Sequence, residues 1–386
     1  MPNWNQAIDR RNTGGIKWEH YEDGVIPMWV ADMDFRSPEP VIRALHERVE
    51  HGVFGYTVAP KELTTVICER LARLYHWNVL PEQIVYFPGV VSALNVVCRA
   101  FGQPGDGVLV QAPVYPPFLS APGNHGLALQ TAELTLCLQD HTLHYETDYD
   151  AFEAAITPQT RLFILCHPHN PIGRELEPAQ LARLAEICLR HDVLMVSDEI
   201  HCDLMLGRTQ HTPLAALSPE IAGHCITLMA PSKTFNLPGL GCSFAIVPQA
   251  EMRQRLTKAS EGILPLINAL GFTAALAAYR EGGPWLAELL EYLTANRDFM
   301  VDYIAGHLPT LRTTVPEATY LAWFDCREAG IPGNPYEFFL KQARVALNDG
   351  VAFGPGGQGF VRLNFACPRA QLVEALERMK QALATL

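Results

Sequence analysis

Lys233 stands in Ala230-Pro231-Ser232-Lys233-Thr234-Phe235-Asn236, directly after an apolar run that ends at Ala230. A lysine at the end of a buried strand is stripped of water, which lowers its pKa and makes the amine a Schiff-base former. Most strand-end lysines are solvated surface charges, so the neighbours decide. Asp198 follows a second apolar run, in Val196-Ser197-Asp198-Glu199-Ile200-His201. A lone Asp there is more often a helix N-cap, yet ligands of open parallel sheets gather at the carboxyl ends of strands. A carboxylate so placed can pair with the protonated ring nitrogen of an electron-withdrawing cofactor. Asn170 lies in Cys166-His167-Pro168-His169-Asn170-Pro171-Ile172-Gly173. That composition makes an ordinary turn, and its amide could also donate to an anionic ring oxygen. Gly89-Val90-Val91-Ser92 follows a third run and opens a helix, whose free N–H groups can hold a phosphate. One glycine is not a phosphate motif, and a plain strand-to-helix turn explains it equally well.

Other pairings carry less. His167 and His169 have no Cys, Asp or third His at ligand spacing, so no metal site is expected. His201 and Cys202 are adjacent, so their side chains diverge and cannot act as base and nucleophile. The ten cysteines (68, 98, 137, 166, 188, 202, 225, 242, 326 and 367) form no C-x-x-C pair and mostly sit in apolar runs, as buried reduced thiols do.

The elements that must position these residues follow from the apolar pattern. Short runs rich in β-branched and aromatic residues occur at 84–87, 108–111, 161–166, 193–197, 226–230 and 243–247, with helical spacing between several of them. In the segment 178–191, Leu181, Leu184, Ala185 and Cys188 share one face. This predicts an α/β fold with a mostly parallel sheet covered by helices. From about residue 284 the texture changes to a long helix at 285–307, a strand at 320–324, a helix at 336–343, a strand at 360–365 and a closing helix from 369. The expected division is an N-terminal segment 1–45 packing on the small domain or a partner subunit, a large domain 46–283, and a small α+β domain 284–386. With 386 residues and 48% hydrophobic content the chain can bury more than one core. Its net charge of -12, without a basic run, excludes nucleic acid as an expected partner. Apolar stretches too short to span a bilayer, and the lack of a leader pattern, predict a soluble cytoplasmic protein with no membrane association.

Taken in order, Gly89-Val90-Val91, Tyr115, Asn170-Pro171-x-Gly173, Asp198 and Ser232-Lys233 resemble the pattern of fold-type I pyridoxal phosphate enzymes, the aspartate aminotransferase superfamily. Within it the chain resembles the carbon–sulfur lyases of the MalY/PatB type, which are similar to cystathionine β-lyase. The stretches that carry this are Trp29-Val30-Ala31-Asp32-Met33-Asp34-Phe35, His51-Gly52-Val53-Phe54-Gly55-Tyr56, Ser197 to His201, Ala230 to Asn236, and Phe360-Val361-Arg362-Leu363-Asn364.

The resemblance implies pyridoxal 5'-phosphate as cofactor, held by Lys233, which would also move the Cα proton of an amino-acid substrate. It implies Asp198 on the ring nitrogen, Asn170 on the ring hydroxyl oxygen, Tyr115 stacked on the ring, and His201 beside it. Gly89, Val90, Val91 and Ser232 would hold the phosphate, with Tyr56 reaching across a homodimer. Arg362 would grip the substrate carboxylate, a task that suits a guanidinium, with Val30 and Ala31 beside it. Many aminotransferases have Tyr where this chain has His201, and the lyase branch tends to have His. Many also carry a phosphate-binding Arg where this chain has Gly241, so the phosphate must rest on backbone N–H groups and hydroxyls. The expected reaction is β-elimination from cystathionine or a related S-substituted cysteine, giving a thiol, pyruvate and ammonia. The alternatives are a class I/II aminotransferase, and a regulatory or interaction protein that keeps the fold.

Overall fold

A computed structural model describes residues 3–207 and 210–386. Its seven-stranded sheet runs in the spatial order Ile84–Phe87, Ser243–Ile246, Cys225–Met229, Leu194–Asp198, Thr160–Cys166, Gly107–Ala112, Ala128–Glu133. Ser243–Ile246 is antiparallel to both neighbours, and the remaining pairings are parallel. Leu162 to Cys166, Met195 to Asp198 and Cys225 to Met229 are buried throughout. Helices cover both faces, so these strands read as continuous apolar runs rather than alternating ones. The strand Ala128–Glu133 lacks such a run because it is an edge strand, largely exposed on both faces.

Parallel register fixes what meets at the carboxyl ends. Cys166 lies opposite Asp198, and Asp198 opposite Leu228. The Asn170 loop, Asp198 and the Lys233 turn therefore emerge side by side from three adjacent strands.

A second sheet has the order Asn348–Asp349, Phe360–Asn364, Leu321–Asp325, Arg312–Thr314, Thr142–Glu146, Thr135–Gln139. Its last two strands form a hairpin from the middle of the chain, which local periodicity does not assign to the C-terminal elements. Thr313 pairs with Thr142, and buried Trp323 donates its Nε1–H to Tyr145 Oη at 3.1 Å. The helix expected at 336–343 is one α-turn, Pro335–Phe338, continued by a wider turn at Phe339–Ala343. The helix Gly283–His307 buries Asn296, whose amide donates to Phe365 O and Cys367 O at 3.0 and 2.9 Å. No helix among the described residues is long and apolar enough to cross a membrane.

The N-terminal segment packs on the C-terminal elements. Ile26–Pro27 pairs in parallel with Val345–Ala346, and Trp4 packs on Phe35 and Trp285. Asp34 ties the segment down: it accepts from Lys17 Nζ and Trp18 Nε1 at 2.8 Å, Arg10 Nη1 at 2.7 Å and Gln371 Nε2 at 3.1 Å. Burial alone would raise this carboxyl, yet the Lys17 charge and these donors hold it below the usual carboxylate range. Its stabilising contribution is thus present above the ordinary Asp pKa and lost as pH falls through the depressed value. Asp34→Ala leaves the fully buried Lys17 ammonium with only the Asp32 carboxylate, 3.6 Å away, as counter-charge and is expected to cost about 3 kcal/mol, measured as a lowered denaturation midpoint at neutral pH. An unchanged midpoint would remove this ion pair as the anchor of the segment.

Candidate active site

Lys233 sits in the short helix Pro231–Thr234, immediately beyond Cys225–Met229. Pro231 occupies the first turn, where a missing N–H costs nothing. The side chain lines a cavity of about 330 Å³ together with Ala31, Gly89, Val90, Val91, Tyr115, Asn170, Asp198, His201 and Ser232. A larger cleft of about 750 Å³ lies in the C-terminal region, but its one charged lining side chain, Arg327, is paired with Asp325 at 2.7 Å. The smaller cavity therefore holds the reactive groups.

Three buried charged groups define its electrostatics. Burial, and then the positive charge of Arg362, pull the Lys233 amine down to about 8. Burial raises Asp198 to about 7, with the Glu199 charge adding to the rise and the Ile200 N–H opposing it. Burial lowers Arg362 to about 10. Burial likewise holds His201 well below the usual imidazole range, with the Lys233 and Arg362 charges adding to it. The Lys233 ammonium donates to Ala31 O at 2.6 Å, and Tyr320 Oη donates to the same oxygen at 2.9 Å.

Arg362 does not line the cavity directly. It donates from Nη1 to Asn170 Oδ1 at 3.0 Å, and from Nη2 to Trp29 O at 3.1 Å and Asn348 Oδ1 at 2.6 Å. Its Nε is buried and has no partner among the described residues. Since Asn170 Oδ1 already accepts from Arg362, the Asn170 amide must present its N–H groups elsewhere.

At the other end of the cavity, helix Val90–Phe101 begins at Gly89, and its first internal bond runs from Ala93 N to Gly89 O at 3.0 Å. The N–H groups of Val90, Val91 and Ser92 precede that bond and face an anion-sized space. A Cβ added at Gly89 would meet nothing within 4 Å, so the space beside it is open. Gly241 has φ +53° and a Cβ there would come within 3.0 Å of Pro88 O. A side chain at this position, where many aminotransferases carry a phosphate-binding Arg, would sit tightly against Pro88 and in a backbone conformation that favours glycine.

Besides Arg362, two expected residues lie apart from the cavity in this chain. Tyr56 is fully exposed. Val30 contributes its carbonyl to Asn364 Nδ2 at 2.6 Å rather than a wall of the cavity. Sequence reading gave no role to Asn236, Asn364, Asn348 or Tyr320. Asn236 and Asn364 hold the 29–35 segment over the cavity through Met33, Phe35, Val30 and Asp32 backbone groups. Both stand in stretches quoted for the resemblance, so a signal existed; Asn348 offers none.

The His167-Pro168-His169 pair separates. His169 Nε2 meets Pro113 O at 2.8 Å, whereas His167 turns to Glu175 and His211, whose ligand atoms lie within 4.8 Å of one another and of its own. Linear spacing could not reveal that grouping, because His211 comes from a different loop, 36 residues beyond Glu175 along the chain.

Comparison with known proteins matches residues 24–379 to the family described as aminotransferase class I and II. The chain is 40% identical over 390 residues to cystathionine beta-lyase PatB of Bacillus subtilis, covering 99% of this chain and 100% of that one. Among solved structures it is similar to cystalysin from Treponema denticola, which contains pyridoxal 5'-phosphate (TM-score 0.94, 31% identity, 100% and 99% covered). It is also similar to the PLP-bound C-S lyase from Staphylococcus hominis (TM-score 0.92, 33% identity, 99% of each covered).

The depressed lysine gives a direct check. Reductive trapping of the cofactor-free protein with a small aldehyde should label Lys233 increasingly as pH rises through about 8 and then level, while exposed lysines keep gaining toward about 10.4. Labelling of Lys233 that tracks the surface lysines would show the amine to be solvated.

Proposed function

The chain belongs to the aminotransferase class I and II family, and from that premise we propose that it is a pyridoxal phosphate-dependent carbon–sulfur β-lyase. With the consumption of one water, it cleaves cystathionine or a related S-substituted L-cysteine to a thiol, pyruvate and ammonia, the water hydrolysing the aminoacrylate left by elimination. The observation that carries this reading is one cavity holding Lys233, Asp198 and Asn170 with Arg362 behind them, in a chain whose full length resembles a cystathionine β-lyase.

The residues present fit the cofactor. Ile200 N–H, at 3.1 Å, is the one hydrogen bond that reaches the Asp198 carboxylate among the described residues, which leaves room for a cationic ring N–H. The open space at Gly89 and the unbonded N–H groups of Val90, Val91 and Ser92 suit a phosphate, with Ser232 beside them. Lys233 would carry the cofactor, Asn170 would meet its ring oxygen, and Tyr115 and His201 would flank the ring. When bound, pyridoxal phosphate supplies an electron sink conjugated to the substrate's Cα.

The rest falls to this chain's own groups. Asp198, once paired with a cation, stays ionised. The forked guanidinium of Arg362 takes the substrate carboxylate, beside Val30 and Ala31, and so fixes which Cα substituent faces Lys233. Lys233 Nζ then removes the Cα proton as its general base. The electron pair left at Cα is what expels the thiolate from Cβ. An amine already near 8 is matched to that proton transfer at neutral pH.

The reading extends to a homodimer. Val53, Phe54, Tyr56 and Val58 are exposed on one stretch, and Ile263 and Leu266 are exposed elsewhere. Apolar side chains left in water on this scale suit a partner surface, and Tyr56 would reach the phosphate of the partner's cofactor. The ten free cysteines suit a reducing compartment such as the cytoplasm.

Incubation with pyridoxal phosphate and L-cystathionine, without a keto acid, should release pyruvate and thiol in equal amounts. Turnover that requires a keto-acid acceptor would instead establish an aminotransferase. Lys233→Ala should abolish both release and the visible absorbance of the lysine-bound cofactor. Elimination at the wild-type rate in that variant would sink the mechanism. Arg362→Lys keeps the charge but loses the fork, and should raise KM by about tenfold or more with a smaller change in kcat. An unchanged KM would move the carboxylate site elsewhere.

A further inference from the structure

Behind Asp198 lies a cluster of buried ionisable groups that the reaction above does not use. His211 is completely buried and has a carboxylate on each ring nitrogen: Nδ1 lies 2.9 Å from Glu175 Oε1, and Nε2 lies 3.0 Å from Glu199 Oε2. An ionised carboxylate only accepts, so both nitrogens must donate and the ring is an imidazolium. Each carboxylate has further donors. Glu175 Oε1 accepts from Thr212 N at 3.2 Å and faces His167 Nε2 at 3.2 Å. Glu199 Oε1 accepts from Ser197 Oγ at 2.8 Å and Leu214 N at 3.0 Å.

These groups belong to the two loops that carry the ring-facing residues. His167 and Glu175 flank Asn170 in one loop, and Glu199 is the residue after Asp198 in the other. We propose that His211 is a positioning residue, a buried cation that clamps the Asn170 loop to the Asp198 strand end and lets Glu199 remain ionised beside Asp198. The inference rests on the cofactor assignment above and adds to it the group that keeps two adjacent carboxylates from having to share one proton.

The surroundings agree in direction. Against the opposing effect of burial, Glu175 and Glu199 raise His211 to about 10, and His167 and His211 lower Glu175 to about 2. The titratable groups facing His211 are Glu175, Glu199, His167 and the ring of Tyr75. Cys202 and Cys225 feel the Glu199 charge, and both are buried thiols held above the usual range. None of these supplies a second cation adjacent to Glu199, so the load falls on His211.

The test uses His211→Gln, Glu199→Gln and the double variant. In His211→Gln the proton shared between Glu175 and Glu199 is gone, and both carboxylates lose the cation that lies between them. The wild type begins to lose its own His211 contribution only above about 6.5, and has lost it by about 10. Between about pH 4.5 and 6.5 the melting temperature of cofactor-free His211→Gln should therefore trail wild type by a constant margin, and the gap should narrow by about 5 °C as pH rises toward 10. The double variant should trail by a smaller margin, because no buried anion at position 199 is left without its cation. In parallel, the Kd for pyridoxal phosphate at neutral pH should rise about tenfold in His211→Gln and return to within about threefold of wild type in the double variant.

A deficit independent of pH, with no recovery in the double variant, would reduce His211 to a packing residue and overturn the proposal. So would a stoichiometric divalent cation bound by wild type and lost in His211→Gln, since the His167, Glu175 and His211 ligand atoms are close enough to share one. Should His211→Gln fail to fold, Glu175→Gln removes one of the two anions that hold the proton and should show the same narrowing in weaker form; a gap that stays constant to about pH 10 would equally overturn the clamp. Absence of cofactor uptake by wild type would defeat the functional reading, while the stability comparison would still decide the clamp.

Discussion

Parallel register at three strand ends is the constraint on which the site depends. With Cys166 opposite Asp198 and Asp198 opposite Leu228, three loops from distant parts of the chain must leave the sheet together. Prolines 168 and 171 steer the Asn170 loop, and the helix start at Pro231 steers the Lys233 turn, so their side chains have little freedom to miss Asp198 at its strand end. The helix that begins at Val90 brings its N-terminus, with a partial positive charge, to the same cavity. The site is thus a consequence of how strands stack, and its precision comes from the sheet rather than from the loops.

Burial sets the chemistry of what is gathered there. Asp198 and Arg362 are buried and Lys233 is largely shielded, and each shifts toward its neutral form. Two cations, one lining the cavity and one behind it, outnumber the Asp198 carboxylate, so the site favours anionic ligands. The same dry interior forces compensation behind it, where His211 is shared by Glu175 and Glu199. Functional poise and structural neutrality are thereby supplied by neighbouring residues, Asp198 and Glu199, with opposite environments.

The second sheet and the N-terminal segment close the site. Arg362 and Asn364 belong to one strand of that sheet and reach the backbone of residues 29 to 32, while Asn236, three residues beyond Lys233, holds Met33 and Phe35. Asp34 and buried Lys17 fix the far side of the same segment. The wall opposite Lys233 is therefore backbone, held by amide and guanidinium side chains from two separate elements.

The sequence by itself determined the large sheet and the groups at its strand ends. Doubly buried strands are apolar throughout, and the strand ends fall where those runs stop, so Asp198, Asn170 and Lys233 could be picked out before their distances were known. Gly89 and the helix opening at Val90 were legible for the same reason: a helix start is a local event. The exposed strand Ala128–Glu133 and the hairpin 135–146 were not, because one lacks an apolar signature and the other finds its partner, Arg312–Thr314, some 170 residues away. Tertiary structure alone decided that Arg362 bonds Asn170, that Gly241 packs closely against Pro88 O, and that His167 leaves His169 to join Glu175 and His211. Periodicity reports which face of an element is dry; which charged groups share that dry space depends on chain packing at long range, and no local pattern encodes it.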